Sequence, residues 1–235
     1  MVLDTLLAPI TALFELGGSV VVILVVLSVV ALAVIILKLW QFAAEGVGRR
    51  RSAKRAVDAW IHGQDHVALQ AAEAGRGPVA GTVAAALRGL IFGGLDRQIV
   101  EEDAARIAQE RLHSLSRGLR LLEAVAQIAP LLGLFGTVLG MIQAFQAMQE
   151  AGANIDPSQL AGGIWVALLT TAVGLAIAMP VSLITTWFDG RIDNERIAIE
   201  TLLTAVFTRR ATDRRPELPA AVAKRGMAVG AVPGE

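Results

Sequence analysis

Three long runs of apolar residues dominate the pattern of hydrophobic and polar positions along the chain. The first, 18–37, holds twenty residues with two serines as its only polar side chains. The second, 125–148, is interrupted only by three glutamines and one threonine, and the third, 160–188, carries no charge. Because about 20 apolar helical residues cross a bilayer core, the pattern predicts three transmembrane helices. The last two runs exceed that length, which indicates tilting or extension beyond the lipid.

The connecting regions follow a helical period. Residues 52–73 are typical of short helices, Gly75–Pro78 ends them, and 79–92 predicts a further helix before the Gly93–Gly94 break. From Asp96 apolar positions recur at helical spacing with no proline before Pro130, which predicts one uninterrupted helix running into the second span. The predicted fold is an all-α membrane protein whose second and third transmembrane helices extend into the cytoplasm as long helices.

The distribution of lysine and arginine predicts the orientation of these spans. Of 21 such residues, twelve lie from Arg49 to Arg120 and eight from Arg191 onward, whereas 1–17 and 149–159 contain none. Cytoplasmic loops are enriched in basic residues, so the N-terminus and the short connection are predicted to lie outside. A cleaved signal peptide is disfavoured, because 1–17 carries Asp4 and Glu15 and no basic residue.

These patterns divide the chain as follows. The predicted segments are an outer N-terminus (1–17), the first span (18–40), a cytoplasmic helical loop (41–124), the second span (125–148), a short outer loop (149–159), the third span (160–188), a cytoplasmic helix (189–210) and a disordered tail (211–235) rich in proline, glycine and charge.

Composition agrees with a membrane protein. The chain is 54% hydrophobic and 18% charged, against about 25% charged in soluble domains, and its mean hydropathy is +0.59. The absence of cysteine excludes disulfides and cysteine-based metal sites. His62 and His66 are four residues apart but lack the HExxH pattern. We therefore expect no metal site and no cofactor.

A basic segment, RRRSAKR at 49–55, directly follows the first span. Such a segment could contact nucleic acid or anionic lipid. We favour the plainer interpretation that it sets the orientation of the first span, and we expect no nucleic-acid partner. The formal net charge of zero gives no indication for either alternative.

Hydroxyl groups and glycines are the candidate chemistry of the last two spans. They include Thr137, Thr170 and Thr171, and small-residue spacings at Gly133, Gly136 and Gly140. Helix packing alone could explain them, since small residues let transmembrane helices approach and hydroxyls bond across them. No GxSxG, P-loop or cluster of carboxylates is present in the spans, so an enzyme is the weakest hypothesis.

Two sequence motifs carry a family resemblance. APLLGLFGTVLGM in the second span and GGIWVALLTTAVGLAIAMP in the third resemble the ExbB/TolQ/MotA family of proton-channel subunits. Three spans resemble the ExbB/TolQ branch, since the MotA branch has four. The resemblance implies a bacterial inner-membrane location, with the N-terminus in the periplasm and the C-terminus in the cytoplasm. It also implies a homo-oligomer, a pentamer in the family, around a single-span ExbD/TolR-like partner that carries a titratable aspartate.

The resemblance assigns roles to particular positions. Thr137 and Thr171 match pore-lining threonines, and Thr170 is a third candidate beside them. Pro130 and Pro180 match prolines that shape the helices, a role we extend to Gly133, Gly136 and Gly140. Where ExbB and TolQ usually carry glutamate, this chain has Val166, and no carboxylate remains in the three spans.

The leading hypothesis is therefore a stator subunit that converts proton-motive force into mechanical work on the envelope. Its further partners would be membrane lipid and a TonB-like or other envelope component. The alternative is a membrane scaffold of the same fold that passes no ions, which the valine at position 166 favours.

Overall fold

The computed structural model describes residues 2–94, 96–151 and 157–212, with side chains left out at 2–17, 151, 159 and 209–212. Every regular element within these residues is an α-helix, which confirms the all-α fold. The helices are α1 (Val2–Ala44), α2 (Arg51–Ile61), α3 (Asp65–Glu73), α4 (Pro78–Phe92), α5 (Arg97–Ser116), α6 (Leu119–Ala151) and α7 (Pro157–Thr212). The predicted disordered tail lies outside the described residues except for its first two, which end α7.

Three helical segments are long and apolar enough to cross a membrane: Gly18–Ala44, Arg97–Glu150 and Leu160–Thr208. They contain the three predicted spans, and α6 and α7 are the long helices that the sequence predicts. The first begins at a kink, because Gly18 has φ 67° and ψ −165° and divides α1 into two helical parts. At about 1.5 Å per residue, each segment is longer than a bilayer core is thick.

The chain forms two compact units. The first comprises Met1–Val47 and Arg111–Asn194, and so contains α1, α6, the end of α5 and most of α7. Its apolar core joins Val20 and Leu24 of α1 to Ala129 of α6 and Ala178 of α7. Three transmembrane segments therefore meet in this unit around small and branched side chains.

The expectation of one helix from Asp96 into the second span is wrong at one point. α5 ends at Ser116 and α6 begins at Leu119, with Gly118 between them at φ +82°. Lys38 of α1 stabilises this break, since its buried ammonium donates a hydrogen bond of 2.9 Å to the carbonyl oxygen of Leu115. That carbonyl belongs to the last turn of α5, where no further helical N–H is available.

The second unit comprises Gly48–Glu110 and Glu195–Glu235, and α2 packs against both α3 and α4 in it. It contains a buried carboxylate, Glu195, which accepts hydrogen bonds from the Gly48 backbone N–H at 3.1 Å and from Arg50 Nε at 2.9 Å. Trp60 of α2 donates its indole N–H to the carbonyl oxygen of Val206 in α7. These polar contacts fix the last part of α7 against the segment that runs from Gly48 to Trp60.

Candidate ion-pathway helices

The candidate functional residues lie where α6 and α7 run antiparallel and in close contact. Residue numbers rise along α6 as they fall along α7 in the successive contacts. These contacts pair Ala129 with Gly174, Gly133 with Thr171, Gly136 with Thr170, Gly140 with Ala167, and Ala144 with Gly163. Each pair brings a small residue of one helix against the backbone or a short side chain of the other. We call this surface the α6–α7 seam.

Glycine is required along the seam because no room is left for a side chain. A Cβ added to Gly133 would lie 2.9 Å from the carbonyl oxygen of Thr170, and one at Gly140 would lie 2.8 Å from Ala167 Cβ. A Cβ at Gly174 would lie 2.6 Å from the carbonyl oxygen of Ala129. Glycine at these positions therefore allows α6 and α7 to come within contact distance of each other.

Thr170 is held inside the seam. Its side chain is 2% exposed, and Oγ1 lies 2.7 Å from the carbonyl oxygen of Ala167 in its own helix and 3.0 Å from that of Gly133 in α6. One hydroxyl proton is shared between these two acceptors, so Thr170 joins the helices through a polar contact. The hydroxyl proton of Thr170 is therefore already engaged within the helix pair.

Thr171 differs from its neighbour. Its Oγ1 is the one buried side-chain oxygen or nitrogen without a hydrogen-bond partner in the part of the chain that the structure describes. Its Cα lies 3.0 Å from the position of a Cβ on Gly133, so the residue flanks the seam at the same level as Thr170. A buried hydroxyl without a partner costs free energy, so the Thr171 oxygen is able to bond a further polar group.

Thr137 stands one helical turn after Gly133 on α6. Residues four apart share a helix face, so Thr137 and Thr171 both lie within about one turn of Gly133. The Thr137 hydroxyl donates to the carbonyl oxygen of Leu134 at 2.6 Å, which leaves its oxygen lone pairs available as acceptors. The structure thus brings the two predicted threonines to one level of the helix pair.

The remaining predicted positions, Val166, Pro130 and Pro180, lie within the two helices. Val166 is partly buried and directly precedes Ala167 of the seam. Pro130 and Pro180 lie inside α6 and α7, both of which continue as helices past them. Each proline removes one backbone N–H and leaves a carbonyl without its helical donor. Farther along α7, the hydroxyls of Thr185 and Thr186 donate to carbonyl oxygens of their own helix.

Sequence analysis missed half of the seam. The residues that it missed are Ala129 and Ala144 on α6 and Gly163, Ala167 and Gly174 on α7. On both helices the seam residues recur every three or four positions: Ala129, Gly133, Gly136, Gly140 and Ala144 on α6, and Gly163, Ala167, Thr170 and Gly174 on α7. That spacing is the signal that could have identified the surface, because residues three and four apart form one helix face. It was obscured because alanines and glycines are common throughout both spans.

The helices and the seam define a multi-pass membrane protein whose α6–α7 seam carries hydroxyls and no carboxylate. Comparison with known proteins assigns this class to a family. The sequence profile of the MotA/TolQ/ExbB proton channel family matches residues 75–201, more than half of the chain, and the chain belongs to that family. This is a family of channels rather than of enzymes, and the matched range contains the whole seam.

Individual relatives agree with this assignment. The chain is 46% identical over 95 residues to the biopolymer transport protein exbB1 of Vibrio cholerae, covering 38% of this chain and 42% of the relative. It is 42% identical over 78 residues to the Tol-Pal system protein TolQ of Haemophilus influenzae, covering 33% and 34%. It is 36% identical over 70 residues to the biopolymer transport protein ExbB of Aquifex aeolicus, covering 30% and 47%. Each match spans less than half of the relative's own length.

Proposed function

We propose that this protein is the channel-forming stator subunit of an ion-driven motor of ExbB/TolQ type, with protons as the ion. The observation that carries the proposal is the buried, unpartnered hydroxyl of Thr171 beside the glycine seam, in a chain of the proton channel family. Thr137, within a turn of the same glycine, supplies a second oxygen. In this proposal Thr137 and Thr171 face the ion path, and Thr170 holds the two helices together.

A partner must supply the titratable group. The second and third spans contain no carboxylate, since Val166 stands where the family usually has glutamate. Proton transfer through a membrane needs an ionisable group or a chain of water. We propose that a single-span ExbD/TolR-like partner brings an aspartate to the level of Thr137 and Thr171, inside a ring of copies of this chain. Five copies are expected by analogy with the family.

The proposed setting is a bacterial inner membrane, with the N-terminus periplasmic and the C-terminus cytoplasmic. The support is the distribution of lysine and arginine, which are absent from 1–17 and 149–159. Ion flow through the complex would then drive motion of one component relative to the other, and an envelope component such as a TonB-like protein would receive the work.

The test is proton flux in liposomes that contain the protein with its partner. Thr171→Val should lower partner-dependent flux about tenfold or more, since a hydrogen bond to a charged group contributes roughly 1.5–3 kcal/mol. Thr171→Ser, which keeps the hydroxyl, should retain most of the flux. Thr185→Val is the matched control, because the Thr185 hydroxyl bonds Val181 of its own helix at 2.8 Å, and it should leave flux unchanged.

Size measurement of each purified complex separates a loss of conduction from a loss of assembly. Full flux in an intact Thr171→Val complex would refute the role of this hydroxyl.

The second candidate function is a scaffold that assembles an envelope complex without passing ions. Val166 favours it, because the position that could add a titratable group is apolar. In that case the seam would serve helix packing alone, and the wild-type complex would show no partner-dependent flux at any membrane potential.

A further inference from the structure

Four cations directly after the first span are exposed and unpaired. We call Arg49, Arg51, Lys54 and Arg55 the basic surface; all four are exposed, and none has an ion pair within the described residues. The carboxylate of α2, Asp58, is also exposed, but the cations outnumber it. A concentration of unpaired positive charge is what an anionic partner recognises.

Three other arginines of the same unit are paired with carboxylates. Arg50 is bonded to the buried Glu195, with Nη2 2.8 Å from Oε1. Arg88 pairs with Glu73, and Arg106 lies 2.9 Å from Asp103 and 3.5 Å from Glu110. Arg76 and Arg97 are also exposed without an ion pair within the described residues, but each stands alone in the sequence. Only the segment that follows the first span concentrates four such cations within seven residues.

The chain stays close to the end of α1 before it reaches these cations. Gly46, at φ 67°, closes the helix with hydrogen bonds from its own N–H to Ala43 and from Val47 N–H to the carbonyl oxygen of Phe42 at 3.1 Å. Arg51 follows Val47 by four residues, so the two lie within about 14 Å of each other whatever the conformation.

Aromatic side chains mark the level of the membrane interface near that turn. Trp40 of α1 is 73% exposed and Trp187 of α7 is 47% exposed. The Arg191 guanidinium lies 5.1 Å from the Trp187 ring centroid, and Phe42 packs edge-on against Phe188 at 4.9 Å. Tryptophan and arginine at helix ends are typical of the headgroup region. The turn at Gly46 therefore lies at or beside that region.

We propose that the basic surface binds anionic phospholipid headgroups of the membrane that the protein spans. Juxtamembrane cations are attracted to the negative surface of the cytoplasmic leaflet, and each contributes separately to the binding. The short chain between Val47 and Arg51, about 14 Å at most, holds these side chains near the headgroups. A nucleic acid, in contrast, would have to approach the membrane surface, which is negatively charged like the nucleic acid itself. An orientation signal acts during insertion, but these four cations still have no ion pair with any described residue of the folded chain.

The experiment titrates the purified full chain, in neutral detergent, with phosphatidylglycerol or phosphatidylcholine and follows the midpoint of thermal unfolding. The test variant is Arg51→Gln with Arg55→Gln, two exposed cations on one face of α2. Its matched control is Arg88→Gln with Arg106→Gln, which removes the same charge from paired arginines of the same unit.

Wild type and control should be stabilised by phosphatidylglycerol and much less by phosphatidylcholine. The test variant should need about 10- to 30-fold more phosphatidylglycerol for the same rise in the midpoint of thermal unfolding. Salt at about 1 M should abolish the preference for phosphatidylglycerol over phosphatidylcholine in every variant, because it shortens the electrostatic screening length to about 3 Å.

Equal responses to the two lipids in wild type would overturn the proposal, as would equal losses in test variant and control. A polyuridylate arm at physiological ionic strength examines the competing partner: tight binding that the test variant loses, with the lipid preference unchanged, would also overturn it.

Because the substitutions could disturb insertion, protease accessibility of the tail in proteoliposomes is measured first. If the double variant inserts wrongly, Lys54→Gln alone is titrated, with about a fivefold loss expected.

Discussion

At the residue scale, the two neighbouring threonines of α7 show how one position along a helix can change the role of a side chain. Thr170 points into the seam and has two carbonyl acceptors, whereas the hydroxyl of Thr171 is buried without a partner. Both are threonines in the same motif, and sequence alone gave them the same candidate role. The difference arises because a step of one residue rotates a side chain by about 100° around the helix axis.

The tightness of the seam at Gly136 predicts a specific cost. A Cβ there would lie 2.6 Å from Thr170 Oγ1 and 2.7 Å from Thr170 Cβ, and Thr170 cannot move without losing its bond to Gly133. Gly136→Ala should lower the free energy of unfolding by about 1–3 kcal/mol, the usual range for overpacking. Denaturation of the purified protein in detergent would measure it.

Gly162→Ala is the matched control for this change. It lies on the same helix pair, and nothing is within 4 Å of an added Cβ. Alanine there should be neutral or slightly stabilising. If both substitutions cost the same, the seam is not the reason that glycine occupies position 136.

At the element scale, the break between α5 and α6 illustrates what helical periodicity cannot detect. Apolar positions continue at helical spacing through Leu115, Leu119 and Leu122, so the pattern predicts no interruption. Gly118 permits the positive φ, and Lys38, 77 residues from Leu115 in sequence, supplies the donor that completes the end of α5. A single glycine is weak evidence for a break, and the contact that stabilises it is remote in sequence.

Lys38 therefore contributes to stability in a way that can be measured. Lys38→Met keeps the apolar stem but leaves the Leu115 carbonyl without its donor, so the free energy of unfolding should fall by about 1–3 kcal/mol. Lys54→Met, the same substitution at an exposed lysine, should change it by less than about 0.5 kcal/mol. The two are compared by thermal and chemical denaturation in neutral detergent. An unchanged stability of Lys38→Met would show that solvent or another group satisfies the carbonyl.

At the scale of the whole molecule, the proposed function gives the chain the walls of a pathway, while its second and third spans contain no acid to carry the proton. The second and third spans offer hydroxyls and backbone carbonyls, and both prolines leave a carbonyl without a helical donor. Such oxygen atoms can coordinate and orient an ion, although none of these groups titrates near neutral pH. The proposed function is therefore a property of an assembly with a second protein.

The corresponding prediction concerns partner dependence. Liposomes with this protein alone should show proton flux no higher than empty liposomes, and co-reconstitution with the single-span partner should raise it. Replacing the partner's intramembrane aspartate with asparagine should return flux to the background, since the amide keeps the size and loses the titration. Substantial flux through this chain alone would require a continuous water path and would contradict the proposed division of roles.

The sequence by itself determined the three spans, the all-helical class and the family, because apolar length and paired motifs are local properties of the chain. It also identified the threonines and the glycines of the second span as the residues to examine. Only the tertiary structure decided that Thr170 joins the helices while the buried hydroxyl of Thr171 has no partner among the described residues, and that Lys38 completes the end of α5. These outcomes depend on which atoms of distant segments come within hydrogen-bond distance, and no spacing within one segment encodes that.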